Sequence, residues 1–90
     1  MAKRTLGSVA KEARNEARMS QRELAAAVGV KASHIAYIES GHRRPSISLI
    51  IPLSKALGLD AKELLILGYP QVKQILDGSL PSRKTKRLST

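Results

Sequence analysis

The chain has 90 residues, of which 42% are hydrophobic and none is cysteine. This length fits one small domain with a tail, and the absence of thiols excludes a disulfide framework, a cysteine-ligated zinc site and a cysteine nucleophile. Two histidines do not favour a metal site, so we expect no metal and no cofactor. The apolar runs are too short to cross a bilayer, and no apolar stretch follows Lys3 and Arg4 as in a secretory signal. We therefore expect a soluble, cytoplasmic protein.

The charge is strongly basic and unevenly distributed. Sixteen Lys and Arg residues against seven Asp and Glu residues give a net charge of +9. Segment 79–90 carries +4, and residues 18–45 hold +3, which is the whole excess of segment 5–78. A basic balance of this kind predicts an anionic partner, most often a nucleic acid.

Apolar residues recur at helical spacing in the first half of the chain, and no stretch alternates as a strand would. Leu6 to Ala17 forms the first such pattern, with one apolar face. Ser20 and Glu23 then have capping-box spacing, and a short helix follows that we expect to end at Gly29. The next helical unit begins near Val30 and closes at Gly41.

The second half begins with the basic loop His42–Pro45, which leads to a fourth predicted helix that ends at Gly58. Pro52 conflicts with that helix, because proline removes one hydrogen bond and clashes with the preceding turn. Either the regular helix begins near Pro52, or it kinks there. A second capping pattern, Asp60 to Glu63, predicts a fifth helix that ends at Gly68.

Beyond the fifth helix, Val72, Ile75 and Leu76 keep helical spacing. We expect these side chains to cover the domain's own core; a dimer face is the alternative. Segment 79–90 is rich in Arg, Lys, Ser and Thr, which predicts a disordered tail. The tail is interpreted either as a solvated run of charge or as a non-specific phosphate anchor.

The stretch from Gln21 to Gly41 carries the functional information. It combines a capped short helix, a glycine turn and a second short helix, with the small residue Ala25 where the two helices would cross. The string SQRELA, then VGV, then IAYIESG, resembles the helix-turn-helix of the phage-repressor (Cro/cI-type, XRE) family. SKALGLD, which starts at Ser54, resembles the same family, and the likeness covers residues 6–68.

The resemblance implies an all-α fold, a five-helix lambda-repressor-like bundle whose third helix, about residues 31–40, enters the DNA major groove. The expected organisation is a flexible arm at 1–5 and a DNA-binding domain at 6–68. A short C-terminal helical segment follows at 69–78, and then the basic tail at 79–90.

The resemblance also implies site residues. Gln21 matches a residue at the start of the second helix that bonds a phosphate or an adjacent base, and the basic loop matches one that grips the DNA backbone. With Arg22 from the basic window and His34 on the third helix, the candidate DNA contacts are Gln21, Arg22, Lys31, Ala32, Ser33, His34, Tyr37, Ser40, His42, Arg43 and Arg44. Arg14 and Glu39 match a buried salt bridge, interpreted as structural.

Two positions depart from the family pattern. Many relatives carry Ser or Thr where this chain has Lys31, so the third helix lacks its usual side-chain cap. Ala32 has no hydrogen-bonding side chain and offers only apolar contact to a thymine methyl group. We therefore expect modest base discrimination, with groove shape sharing the selection.

The sequence thus predicts a sequence-specific regulator of transcription that binds double-stranded DNA, most simply a repressor acting as a homodimer. One alternative is a protein-interaction module on the same fold, either an antitoxin with a toxin as partner or a bridging factor that contacts the transcription machinery. Another is a binder of RNA or anionic surfaces driven by the tail. No catalytic constellation is present, so we expect neither enzyme activity nor a membrane partner.

Overall fold

The computed structural model describes residues 4–76, which form six helices and no strand. This confirms the all-α prediction and the helical bundle. The sixth helix is the predicted short C-terminal segment. The helices in chain order are α1 (Leu6–Glu16), α2 (Gln21–Val28), α3 (Ala32–Ser40), α4 (Ile47–Leu57), α5 (Ala61–Gly68) and α6 (Val72–Leu76).

The helix ends around the turn follow the predicted chemistry. Ser20 Oγ accepts from the Glu23 N–H at 2.9 Å, and Glu23 Oε1 accepts from the Ser20 N–H at 2.8 Å, which completes the capping box. Gly29 and Gly41 end α2 and α3 with φ of 80° and 86°, a left-handed conformation that glycine adopts without steric cost. Lys31 stands at the N-cap of α3 without a side-chain cap, as predicted.

One cap lies in the segment that the sequence assigned to the N-terminal arm. Thr5 caps α1, because its Oγ1 accepts from the Ser8 N–H at 3.0 Å while Ser8 Oγ accepts from the Thr5 N–H at 3.0 Å. Arg18, after α1, has a φ of 59°, which is unusual for a residue with a side chain. Arm residues 1–3 and segment 77–90 lie outside the described residues.

A single core joins the first five helices. Buried side chains from each of them meet in it, the largest being Leu24, Ile35, Ile38, Ile50, Leu53 and Leu64. Gly7 brings α1 against the end of α3, because a Cβ there would collide with the carbonyl oxygens of Ile38 and Glu39. This close approach holds α3 tightly on its inner side and leaves its outer side exposed.

Two sequence expectations need correction. Of the two alternatives for the fourth helix, a start near Pro52 is wrong: α4 begins at Ile47 and contains Pro52, because burial of Leu49 and Ile50 outweighs the one hydrogen bond that proline removes. The expectation that Ile75 covers the core is also wrong, since Ile75 is 61% exposed.

Val72, in the same helix, is half-buried but is not among the partly buried residues that pack on the core. The physical reason is that α6 follows α5 and packs on it, so the short helix does not reach the core of the bundle. Within residues 4–76, no helix is both long and apolar enough to cross a membrane.

Candidate nucleic-acid interface

The exposed side of α3 forms a shallow depression of about 200 Å³. Five of the predicted DNA contacts line it together with Val30, and none of the six is acidic. The five are Lys31, Ser33, His34, Tyr37 and Arg43. The structure therefore brings together residues that are up to 12 positions apart in the sequence.

The opposite side of α3 orients this surface. Ile35 and Ile38 are buried to 1% and 2% exposure, which fixes the rotation of the helix about its axis. Tyr37 consequently points outward and is 52% exposed. A large aromatic side chain held outward on a rigid helix suits contact with a surface outside the protein.

The loop after α3 is folded back onto the helix end. The N–H groups of His42 and Arg43 both donate to the Tyr37 carbonyl, at 2.9 and 3.1 Å. Ser40 Oγ lies 2.7 Å from His42 Nδ1, and Arg43 Nη1 lies 3.4 Å from His34 Nδ1. Arg43 thereby adds its positive charge to the exposed side of α3.

A buried ion pair lies behind this surface. Arg14 Nε donates to Glu39 Oε2 at 2.6 Å and Nη2 donates to Oε1 at 3.1 Å, while Nη1 donates to the Met19 carbonyl at 2.7 Å. The two side chains are only 10% and 4% exposed. The hydrogen bonds to Glu39 raise the pKa of Arg14 above its usual value against the opposing effect of burial, so Arg14 remains a cation.

The pair also shapes the electrostatics of α3. Of the two carboxylates in residues 18–45, Glu39 is neutralised by Arg14 and Glu23 is held in the capping box of α2. Neither carboxylate lines the depression in which Lys31 and Arg43 lie. The depression therefore presents net positive charge to an incoming anion.

Gln21 is coupled to the ion pair. Its Nε2 donates to Glu39 Oε1 at 3.0 Å, and the side chain is half-buried at the start of α2. One amide hydrogen is thus committed inside the protein, while the amide retains a carbonyl oxygen and a second hydrogen for other partners. Arg22, next to it, is exposed.

Six of the eleven predicted contacts do not line the depression, namely Gln21, Arg22, Ala32, Ser40, His42 and Arg44, and two of these have partners inside the protein away from it. Ala32 is half-buried and packs against the core, so its methyl group is turned partly inward. Arg44 Nη1 donates to the Gly68 carbonyl at 3.1 Å, and its Cζ lies 4.5 Å from the centre of the Tyr69 ring. Arg44 therefore contacts the end of α5.

Sequence reasoning missed the roles of Val30 and Tyr69. Val30 was expected to begin a helical unit and to pack beside the Gly29 turn; it does pack against the core, and it also forms part of the depression beside Lys31. Tyr69 had no assigned role, because nothing in its local sequence indicates that its hydroxyl reaches Pro45, 24 residues earlier. Within residues 4–76, no cluster of three or more His, Cys, Asp or Glu side chains is placed to hold a metal ion.

The helix-turn-helix family profile matches residues 11–64, more than half of the chain. The chain is also 36% identical over 74 residues to the uncharacterized HTH-type transcriptional regulator y4dL of Sinorhizobium fredii. That match covers 78% of this chain and 36% of the regulator, so the chain spans about a third of the length of that relative.

Solved structures of two regulatory proteins are also similar to this chain. The restriction-modification controller protein C.AhdI of Aeromonas hydrophila is similar with a TM-score of 0.61 at 32% identity, over 66% of this chain and 86% of that one. The clp gene regulator ClgR of Corynebacterium glutamicum is similar with a TM-score of 0.61 at 26% identity, over 87% and 91% of the two chains. These similarities agree with the family resemblance of the sequence.

Proposed function

Because the chain belongs to the XRE-type helix-turn-helix family of DNA-binding transcriptional regulators, we propose that it binds a specific double-stranded DNA site through α3 and represses transcription there. The observation that carries the proposal is the depression on α3, where Lys31, Ser33, Tyr37 and Arg43 converge on one exposed, basic surface. An α-helix of this kind fits the major groove of B-form DNA.

Each group has a role that its chemistry supports. Lys31 donates to guanine O6 or N7, and Ser33 donates to or accepts from a base edge. Tyr37 contacts sugar or phosphate from its exposed position. Arg43 neutralises a phosphate beside the groove, with Gln21 at the start of α2 bonding the next phosphate or base.

Two copies act together in this proposal, because one recognition helix reads few base pairs and half-sites about 34–36 Å apart match a dimer. Support comes from an apolar groove of about 310 Å³ between α4 and α5. Ile47 and Ile51 line it and are 57% and 56% exposed, so a second copy that covers them would bury apolar surface. A toxin or other protein partner would cover the same groove; a second copy is proposed because the spacing of DNA half-sites matches a dimer.

The test is a fluorescence-anisotropy titration with a duplex that the protein itself selects from a random library, against a scrambled duplex. A preference of about a thousandfold or more at roughly 150 mM salt is expected for a specific site. Lys31→Ala should weaken binding to the selected duplex. Lys11→Ala, which makes the same charge change at an exposed position of α1, should not weaken it. Equal affinity for both duplexes, declining steeply as salt rises, would contradict the proposal.

A further inference from the structure

The two consecutive arginines of the loop between α3 and α4 have different surroundings. Arg43 Nη1 lies 3.4 Å from His34 on the exposed side of α3. Arg44 Nη1 instead donates to the Gly68 carbonyl at 3.1 Å, and its guanidinium carbon lies 4.5 Å from the centre of the Tyr69 ring. Both arginines are exposed, but Arg43 lies against α3 whereas Arg44 lies against the end of α5.

A second bond ties the same two segments together. The Tyr69 hydroxyl donates to the carbonyl of Pro45 at 2.8 Å, and Pro45 is itself buried. Residues 44 and 45 are thus fastened to residues 68 and 69 by a charge-assisted hydrogen bond, a cation–π contact and a neutral hydrogen bond. We call these four residues the loop latch.

The residues of the latch at the end of α5 are packed closely against α1. Gly68 is buried, and a Cβ at that position would lie 2.8 Å from Leu6 Cδ1, so the end of α5 packs closely on α1. The start of the loop is fixed from the other direction, through the bonds of His42 and Arg43 to the Tyr37 carbonyl. The loop is therefore secured at both ends before any ligand arrives.

We propose that Arg44 and Tyr69 are positioning residues for DNA binding: the latch holds the loop so that Arg43 stays beside α3, and Arg44 neutralises no phosphate itself. This inference rests on the proposed function, because it concerns how the same surface is kept ready. A loop ordered in advance loses less conformational freedom on binding, so the latch raises affinity without touching DNA.

The salt dependence of duplex binding separates positioning from direct contact. The slope of log K against log salt concentration is negative, and its magnitude falls by about 0.9 for each phosphate that the protein no longer neutralises. Arg43→Ala, the matched control, should lower affinity and reduce the slope by about that amount. Arg44→Ala should weaken binding by about three- to tenfold while the slope keeps its wild-type value.

Three further variants sharpen the test. Arg44→Lys keeps the charge, a hydrogen-bond donor and a cation for the Tyr69 ring but loses the planar guanidinium, so it should weaken binding by less than Arg44→Ala. Tyr69→Leu should weaken binding to a similar degree without altering the slope. Because the two residues share the cation–π contact, the double variant Arg44→Ala/Tyr69→Leu should weaken binding by less than the product of the two single effects. Tyr69→Phe, which removes only the hydroxyl, serves if Tyr69→Leu fails to fold.

All titrations are run at a temperature where circular dichroism shows every variant to be folded, so a loss of stability alone leaves the measured affinity unchanged. A reduced salt slope for Arg44→Ala, or wild-type affinity in the folded Tyr69 variants, would overturn the latch while leaving the proposed function intact. Wild-type protein that binds no duplex would overturn both.

Discussion

At the scale of single residues, the Arg14–Glu39 pair joins structure to function. It fastens α1 to α3, and Arg14 neutralises the negative charge of Glu39 on the helix that carries the basic depression. Through Glu39 it also holds the amide of Gln21 at 3.0 Å. The family resemblance pointed to the pair, whereas the bond to Gln21 joins residues 18 apart in sequence and emerged only from the packed helices.

Loss of one partner should destabilise the fold strongly. Arg14→Ala leaves the Glu39 carboxylate, 4% exposed, buried without its counter-charge, which should lower the free energy of unfolding by about 3–5 kcal/mol. Lys11→Ala, at an exposed position of the same helix, should change it by less than about 0.5 kcal/mol. Urea unfolding followed by circular dichroism measures both. Equal effects for the two variants would mean that the pair contributes nothing beyond ordinary surface charge.

Lys31 should show a trade between stability and binding. Ser at this N-cap can accept a backbone N–H where Lys31 makes no side-chain bond, so Lys31→Ser should stabilise the protein by about 0.5–1 kcal/mol. The same change removes a positive charge from the depression and should weaken duplex binding. Thermal unfolding and anisotropy measure the two effects. Lys31→Ala is the control, with weaker binding and no gain in stability; unchanged affinity in both variants would exclude Lys31 from the interface.

At the scale of the helices, several helix ends could be predicted from the local sequence. The capping box at Ser20, the glycine turns at Gly29 and Gly41 and the missing cap at Lys31 were predicted correctly, because each depends on residues within a few positions of one another. The sequence left the start of α4 open between two alternatives and predicted the burial of Ile75 wrongly, because both are decided by which distant side chains are available for packing. The close approach at Gly7 was missed for the same reason.

The exposed apolar groove between α4 and α5 should control self-association. Ile51 is 56% exposed, so Ile51→Glu should leave the fold intact while placing a charge in the apolar contact and shifting a dimer towards monomer. Ile75→Glu, at a 61% exposed position of α6, is the matched control and should leave association unchanged. Sedimentation equilibrium distinguishes the two. Dissociation by Ile75→Glu and not by Ile51→Glu would move the dimer face to α6.

At the scale of the whole molecule, positive charge is carried both by the helical bundle and by segment 79–90. The net charge is +9, of which +4 belongs to segment 79–90. Charge in such a segment adds affinity for any nucleic acid through release of counterions, whereas base edges are read by groups fixed on a rigid element. Sequence preference should therefore belong to α3 and general affinity to both regions.

Deletion of residues 79–90 tests that division. Affinity for selected and scrambled duplexes should fall by a similar factor, and the salt slope should decrease by about 0.9 for each phosphate that the shortened protein leaves unneutralised. The ratio between the two affinities should stay unchanged, which anisotropy titrations at several salt concentrations measure. A variant with no remaining preference for the selected duplex would assign the recognition to the tail.

The central claim is that the exposed side of α3 is the surface that meets DNA. The most direct measurement is an NMR titration of the isotopically labelled protein with the selected duplex, following every backbone amide. The largest shifts should fall on residues 31–43 and on the start of α2, with small shifts along α4 and α5 away from the loop. Shifts confined to residues 79–90 or to the groove between α4 and α5 would contradict the claim.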